Sequence, residues 1–360
     1  MKKRYFIIFA IIILCAGAFS ACSAFCKHEY GIWEIVKEAT CYEKGERSHT
    51  CAACGKTEKE EIALSDDHDL KDQVCQKCGL LSYEKCTVTS KNLAAIGYTG
   101  QTEFEIPNIF QDQNGIYSEV VAIGNDAFSE MSELTSVTIP DSVISIGEAA
   151  FEGTKLLDDP KNWENDILYI GKHLIATKHE ISGKHTIREG TLTVADHAFE
   201  GRWDVTEISL PEGVRNIGKH AFSECPRLEK ISLSNGLIDI DDYAFANCTA
   251  ITEIRLPNTV TRIGNNAFFG CHRITEIAIP RNITVLEDYL LTNCSTLKKV
   301  KIPAGVTSIG LHVFQYCEKL ERIEFAGSKA QWKAIPKGDY WDDRAGSFTV
   351  ICTDGTIQQG

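Results

Sequence analysis

Seven cysteines and three histidines lie between residues 26 and 86, and their spacing predicts metal binding. Two C-x-x-C-G motifs, at 51–55 and 75–79, are separated by twenty residues. Two thiolates in such a motif can bind one tetrahedral Zn²⁺, and the glycine lets the backbone turn behind the metal. The simplest assignment is one structural zinc ion, and its four ligands would be Cys51, Cys54, Cys75 and Cys78.

Other chemistry is possible for the same segment. Disulfide bonds could brace it in an exported protein, whereas a C-x-x-C oxidoreductase is disfavoured because no βαβ pattern surrounds either motif. The segment also resembles a Cys/His-rich module found beside surface repeats of Gram-positive bacteria. That resemblance implies one site with ligands His28, Cys41, Cys51 and Cys54, and a second, incomplete site with His68, Cys75 and Cys78. His49 is interpreted as solvated. A module of this size needs metal or disulfides for much of its stability.

A second group of cysteines repeats at intervals of 23 residues: Cys225, Cys248, Cys271, Cys294 and Cys317. Stacked coils would bring their Cα atoms within disulfide distance. However, their number is odd, and side chains in one column point the same way. We therefore predict a row of small buried thiols, with a redox or metal-binding column as the alternative. Free thiols in an exported protein would favour a reducing or anaerobic setting.

A 23-residue repeat sets the elements that position these cysteines. One large apolar residue recurs in each repeat: Phe128, Phe151, Phe199, Phe222, Phe245, Phe268, Leu291 and Phe314. The interval from Phe151 to Phe199 is 48 residues, which marks an interrupted repeat. A period in this range is typical of a solenoid, in which each repeat buries its apolar face against its neighbours.

Each repeat reads V-x-x-I-G-x-x-A-F-x-x-C-x-x-L-x-x-I-x-L/I-P-x-x. The alternation in L-x-x-I-x-I predicts a strand buried on one side. The proline follows this strand, at a position where no backbone N–H is needed for strand pairing. The glycine suits a tight turn. Glu287 replaces that glycine and Leu291 replaces the phenylalanine, so we expect the coil after Pro280 to be distorted. Asp241 also replaces the glycine.

These repeats resemble the BspA-type leucine-rich repeats of secreted and surface proteins, over about residues 87–352. Residues 95–107 look like the opening coil of that family, 162–172 like its interrupted repeat, and Trp332 with 352–355 like its closing segment. The resemblance implies a parallel-sheet solenoid, roles in adhesion or surface interaction, and no catalytic residues. The predicted domains are a signal peptide at 1–21, a Cys/His-rich module at 22–86, the solenoid at 87–327 with an interrupted repeat at 155–187, and a closing segment at 328–360.

The N-terminus has the features of an export signal. Basic residues 2–4 precede an apolar stretch at 5–14, which is shorter than the ~20 residues of a membrane span. Residues 16–18 form an A-x-A cleavage site. The alternative is residues 19–22, which resemble a bacterial lipobox with lipidation at Cys22, although Phe19 stands where an aliphatic residue is usual. Contact with a membrane would then be only through the signal or a lipid anchor.

Charge and surface pattern limit the class of partner. A net charge of −13 argues against nucleic acid, which requires a basic surface. The outward strand positions carry small or charged residues of mixed sign, more basic toward the C-terminal end at 298–301 and Arg322. They are interpreted either as a solvated face with weak cross-strand ion pairs or as a protein-binding face. The repeat histidines, including His197, His220, His272 and His312, are interpreted as scattered surface residues.

The favoured hypothesis is a monomeric, non-enzymatic, exported cell-surface protein whose solenoid binds a protein or a host or cell-surface ligand. The second is that the solenoid is a spacer and the Cys/His module makes the contact. The weakest is a hydrolase in the inserted segment 155–187.

Overall fold

The computed structural model describes residues 34–37, 45–51, 56–62, 70–71, 74–75, 84–89, 93, 96–111 and 117–359. The predicted signal peptide and Cys22 lie outside these residues. The chain divides into two units, residues 1–82 and 83–360.

The first unit contains two small antiparallel sheets among its described residues. Strands β1 (Glu34–Lys37), β2 (Gly45–Thr50) and β3 (Thr57–Ile62) form one sheet in that order, and β4 (Leu70–Lys71) pairs with β5 (Val74–Cys75). Arg47 on β2 lies 2.6 Å from Glu60, which is directly opposite it on β3. Exposed pairs of this kind contribute little to stability.

The second unit is a parallel-strand β-solenoid of about 10 turns, as the repeat predicts. It begins with strands β6 (Glu84–Val88), β7 (Glu103–Glu105), β8 (Ile109–Gln111), β9 (Tyr117–Ile123), β10 (Ser136–Thr138) and β11 (Ser145–Ile146). Parallel pairs join β6 to β9, β9 to β11 and β7 to β10, whereas β8 runs antiparallel to β9. Cys86 therefore lies in a strand of this second unit.

The interrupted repeat inserts antiparallel strands into the solenoid. A 3₁₀ turn (Pro160–Asn162) is followed by β12 (Trp163–Glu164), β13 (Ile167–Ile170), β14 (His173–Thr177) and β15 (Ser182–Thr186). Strands β12, β13 and β14 pair antiparallel, and β14 then pairs in parallel with the next coil. The insertion is thus continuous with the sheet of the regular coils.

The regular coils contribute two rows of short strands. The strand face consists of β15, β17 (Asp204–Ser209), β19 (Lys230–Ser232), β22 (Glu276–Ala278), β24 (Lys299–Ile302) and β26 (Arg322–Phe325). The second row consists of β16 (Thr193–Val194), β18 (Asn216–Ile217), β20 (Asp239–Ile240), β21 (Arg262–Ile263), β23 (Val285–Leu286) and β25 (Ser308–Ile309). Paired residues in adjacent coils are 23 apart, such as Glu207 and Lys230.

Both rows are interrupted, at different places. On the strand face, residues 251–257 form no strand, which leaves β19 and β22 as edges of separate sheets. In the second row, among the described residues, β21 does not pair with β23. This second gap coincides with the distortion expected after Pro280, although Leu291 is fully buried in the core there.

The core contains the predicted column of phenylalanines. All seven are fully buried. The ring centroids of Phe199 and Phe222 are 5.1 Å apart, those of Phe222 and Phe245 are 5.4 Å apart, and those of Phe245 and Phe268 are 5.6 Å apart. This spacing follows the separation of stacked coils. The inserted repeat divides the column, and its own buried residues belong to both core clusters, Ile167 to one and Ile170 to the other.

The closing segment covers the end of the column. Helix α1 (Lys329–Ala334) begins at Ser328, whose hydroxyl accepts a hydrogen bond from the Gln331 amide. Strand β27 (Phe348–Cys352) extends the strand face in parallel, and β28 (Gly355–Gln359) reverses direction against it. Trp332 and Trp341 are buried, and Trp341 packs edge-on against Phe314 with 6.0 Å between ring centroids. No helix among the described residues is long and apolar enough to span a membrane.

The repeat glycine has a different role from the predicted tight turn. Its φ angle is not positive in any regular coil, and the left-handed residue comes two positions later, for example Asn266 after Gly264. A Cβ on Gly264 would overlap Asp242 Oδ1 of the preceding coil and lie 2.5 Å from the Asp242 nitrogen. Glycine is therefore required because neighbouring coils approach closely at this position.

Candidate functional site

Cys51, the first residue of the first predicted zinc-binding motif, directly follows β2. Cys51 is buried, and its amide donates a 2.8 Å hydrogen bond to the Lys56 carbonyl. Cys75 is the last residue of β5. The other predicted ligands, Cys54, Cys78, His28, Cys41 and His68, lie outside the described residues. Within the residues that are described, no group of three or more potential ligands could hold a metal ion. The zinc site stays a prediction.

His49 differs from its interpretation as a solvated residue. It lies on β2 opposite Glu58, and its Nε2 is 3.7 Å from Glu58 Oε2. Its side chain is only 13% exposed. The sequence did not indicate this burial.

The cysteine column is a row of buried thiols, as predicted. Cys225, Cys248, Cys271, Cys294 and Cys317 are all fully buried and unpaired. Each Sγ donates to a main-chain carbonyl of the preceding coil, 26 residues earlier; for example, Cys248 Sγ lies 3.0 Å from the Phe222 oxygen. Burial raises the pKa of Cys225, Cys271 and Cys317 to about 12. The thiols therefore stay protonated and act as hydrogen-bond donors rather than nucleophiles.

A column of aromatic and imidazole rings runs along the turns two residues after the repeat glycine. His197, His220 and Tyr243 stack with centroid separations of 4.9 and 4.6 Å, and Tyr289 stacks on His312 at 4.8 Å. All five residues have positive φ angles. The interpretation of the histidines as scattered was wrong, because His197, His220 and His312 share one register with the tyrosines. The signal was present in the 23-residue spacing of positions 197, 220, 243, 289 and 312.

One part of this column brings together a serine, a histidine and a carboxylate. Ser223 Oγ lies 3.2 Å from His220 Nδ1 and donates to Glu200 Oε1 at 3.1 Å. Burial lowers the pKa of His220. In a catalytic triad the carboxylate orients the histidine through its second nitrogen. Here the carboxylate instead accepts from the serine, and Ser223 is only 1% exposed. This arrangement stabilises the turns and does not present a nucleophile to solvent.

The strand face carries the mixed charges that the sequence predicts. Lys184 Nζ on β15 lies 2.6 Å from Glu207 Oε1 on β17, and Glu276 on β22 contacts Lys299 and Lys301 on β24 at 2.6 and 3.1 Å. Hydrogen bonds from these lysines lower the pKa values of Glu207 and Glu276. The pairs are exposed to solvent, so each contributes little to stability. They leave the face polar and accessible.

A cleft of about 820 Å³ opens on the strand face where the sheet is interrupted. One wall comes from β19 and the residues beside it, and the other from the segment 252–257. Ile231, Leu233, Leu256 and Pro257 form its apolar floor, and Glu207, Glu229, Lys230, Glu253 and Arg255 are its charged residues. Its size is within the range of ligand-binding clefts in proteins.

The repeats match one family model directly. The model of the BspA type leucine rich repeat region matches six copies over residues 111–186 and 192–321, which is more than half of the chain. The chain belongs to the BspA-type leucine-rich repeat family. The strand face described above is therefore the parallel β-sheet of a leucine-rich repeat solenoid.

Several solved structures are similar to this chain. A leucine-rich repeat protein of T. pallidum is 25% identical, covers 46% of this chain and 77% of its own, and has a TM-score of 0.41. A leucine-rich cell surface protein of Faecalibacterium prausnitzii is 22% identical over 66% of this chain and 90% of its own, with a TM-score of 0.29. The pneumococcal vaccine antigen PcpA is 13% identical over 83% and 90%, with a TM-score of 0.29. No curated protein sequence matches this chain.

Proposed function

We propose that this protein is an exported, non-enzymatic cell-surface protein that binds a protein ligand through the strand face of its leucine-rich repeat solenoid. The observation that carries the proposal is the cleft of about 820 Å³ in an otherwise polar, accessible parallel sheet. Flat sheets of charged side chains favour electrostatic complementarity with a protein surface. Membership of a repeat family whose coils build extended binding surfaces supports the same function.

Binding to a bacterial or host surface-protein extract tests this proposal. We expect Lys301→Glu on β24 to weaken binding several-fold, with an effect that declines at high salt because the side chain is exposed. The matched control is Lys219→Glu, which makes the same charge change at an exposed turn residue outside the strand face. Equal binding by both variants and the wild type would argue against the strand face. Full binding by residues 22–86 alone would instead assign the contact to the Cys/His module.

We propose export and surface attachment from the N-terminal sequence. Cell fractionation should find the protein at the surface or outside the cell. If Cys22 is lipidated, Cys22→Ala should release the protein from the membrane fraction into the medium. An unchanged membrane fraction would exclude lipid anchoring at Cys22.

We also propose that the module binds zinc. The buried Cys51, whose amide is hydrogen-bonded to the Lys56 carbonyl, supports this role, because a metal-binding thiolate needs a fixed backbone and shelter from solvent. Native mass spectrometry of the full chain should find one or two Zn²⁺ ions. Cys51→Ser and Cys75→Ser should lose the same ion if four cysteines form one site. If Cys41→Ser releases that ion and Cys75→Ser retains it, the assignment with His28 and Cys41 replaces it. Paired cysteines without metal would show a disulfide-braced module.

A further inference from the structure

The cleft lies where backbone hydrogen bonds that recur along the strand face are missing. In the register of Leu233, the amide nitrogens of Ile187, Leu210 and Ile279 each donate to a carbonyl of the next coil, at distances of 2.9 Å. Among the described residues, Leu233 and Leu256 make no such bond. The segment 252–256 also makes no backbone hydrogen bond to either neighbouring coil within that part of the chain.

The free edge of β19 offers a defined set of backbone groups. Ser232 accepts a hydrogen bond from the Leu210 amide, so its backbone groups face β17. Successive residues of a strand direct their N–H and C=O groups to opposite sides of the ladder. Ile231 and Leu233 therefore direct theirs away from β17, and both residues line the cleft.

The opening is confined to this face of the coil. In the second row, β20 pairs in parallel with β21, with Asp239 opposite Arg262. Phe245 stays stacked between Phe222 and Phe268. The two coils thus remain joined through the core and the second row while their strand-face segments are separate.

We propose that this cleft binds an extended segment of the partner protein by strand addition to β19. The inference rests on the proposed function and specifies how its ligand binds. Edge strands pair with extended peptides because the unpaired N–H and C=O groups match those of another strand. The Ile231 N–H and C=O and the Leu233 N–H supply that pattern here. Of the two strand edges at this interruption, β19 and β22, the β19 edge is the one that lines the cleft.

The lining of the cleft specifies the chemistry of that segment. Ile231, Leu233, Leu256 and Pro257 would contact apolar side chains on one side of the incoming strand. Glu207 is already paired with Lys184, and Glu253 with Arg255. Within the part of the chain that the structure describes, Glu229 and Lys230 form no salt bridge. The matching segment alternates apolar residues with charged residues of both signs.

Hydrogen exchange of the full-length protein tests the open edge directly. We expect the Leu233 amide to exchange roughly 100-fold faster than the Leu210 and Ile279 amides, which are hydrogen-bonded at the same register. Equal protection of the three amides would overturn the proposal, because it would show that residues 252–257 pair with β19 in solution.

A peptide probe tests strand addition. Random eight-residue peptides displayed on phage are selected against the full-length protein, and the selected peptides should protect the Leu233 amide from exchange. Leu233→Pro removes the edge N–H and should weaken their binding by about tenfold or more. The matched control is Ser234→Pro, since proline occupies this register in neighbouring coils at positions 211, 257 and 280. It should change affinity by less than about threefold.

N-methylated peptides keep the test valid if Leu233→Pro does not fold. Only every second amide of a bound strand would face β19. N-methylation of that set should abolish protection of the Leu233 amide from exchange, whereas methylation of the other set should not. Selected peptides that bind without protecting Leu233, and tolerate methylation in both sets, would overturn strand addition. If the surface ligand binds wild type and Leu233→Pro equally, strand addition fails while binding by the face stands. If peptides protect Leu233 but no surface ligand binds, the proposed function fails and the strand site remains.

Discussion

Phe245→Ala measures how far the stacked phenylalanine column stabilises the solenoid. The side chain is fully buried, and its ring stacks on two neighbours at 5.4 and 5.6 Å. An aromatic side chain buries ~150–250 Å², which at ~25 cal/mol per Å² gives an upper limit of ~4–6 kcal/mol for the whole side chain. Alanine retains one carbon of that side chain. We therefore expect a loss of about 4 kcal/mol, within the usual range for such cavities.

The matched control is Phe245→Leu, because Leu291 occupies the same register in a fully buried position. It should cost only about 1 kcal/mol, since a similar volume remains packed. Urea unfolding of the full chain gives the free energies, and hydrogen exchange locates the damage. Protection should fall first in the coils of Phe222 and Phe268, because each repeat is stabilised by its neighbours. An Ala variant that unfolds like wild type, or one that loses protection only in distant coils, would refute this account of the core.

Two further predictions concern the close approach of coils and a buried histidine. Gly264→Ala should destabilise by about 1–3 kcal/mol in urea unfolding, because the new Cβ would lie 2.5 Å from the Asp242 nitrogen. The control Gly305→Ala, whose Cβ would be 3.7 Å from its nearest neighbour, should stay within about 1 kcal/mol of wild type. Burial lowers the pKa of His173 to about 4, so the imidazole stays neutral in the folded state at pH values where it is protonated in the unfolded chain. Protonation in the unfolded chain then favours unfolding. The free energy of unfolding is therefore highest above the unfolded pKa of ~6.5 and decreases as the pH falls toward 4. Between pH 7.5 and 5.0 wild type should lose about 2 kcal/mol more than His173→Gln, and an equal loss in both would contradict the assignment.

The side-chain columns of the solenoid could be predicted from the sequence because the same residue types recur at fixed spacing. Phe245 occupies a core position that holds a large apolar side chain in every repeat, and Cys248 places a small thiol beneath a carbonyl. A replacement at either position changes volume or leaves a buried oxygen without its donor. The alignment of the coils can therefore be inferred from the residue types at these positions.

The aromatic column at the turns was missed because its constraint is on the backbone. His220, Tyr243 and Asn266 differ in chemistry, yet all have φ angles between 54° and 57°. Non-glycine residues reach this region at a cost, and the shared spacing is their common property. A search for identical residue types does not detect such a column, whereas a comparison of positions at intervals of 23 residues does.

The glycine shows how a correct register can be given the wrong physical cause. Gly264 was expected at a tight turn, but the left-handed angle lies at Asn266, with φ of 55°. Asp242 Oδ1 of the preceding coil occupies the space beside Gly264 and accepts a hydrogen bond from the Asn265 amide at 2.8 Å. The requirement for glycine at this position therefore comes from a residue of the adjacent coil, 22 positions away in the sequence.

The cleft could not have been predicted because it requires no departure from the repeat pattern. Leu256 and Pro257 match the residues of regular coils, and the core side chains of the same coil are buried as elsewhere. What differs is the set of backbone hydrogen bonds between residues 252–256 and the two neighbouring coils, including those that the Leu233 and Leu256 amides would make. Each such bond contributes a net ~0.5–1.5 kcal/mol when water can replace it, which is less than one buried phenylalanine contributes. The core can thus hold the coils together while the strand face opens. An incoming strand would restore the bonds that the β19 edge lacks, so this coil is where binding requires the least disruption of the sheet.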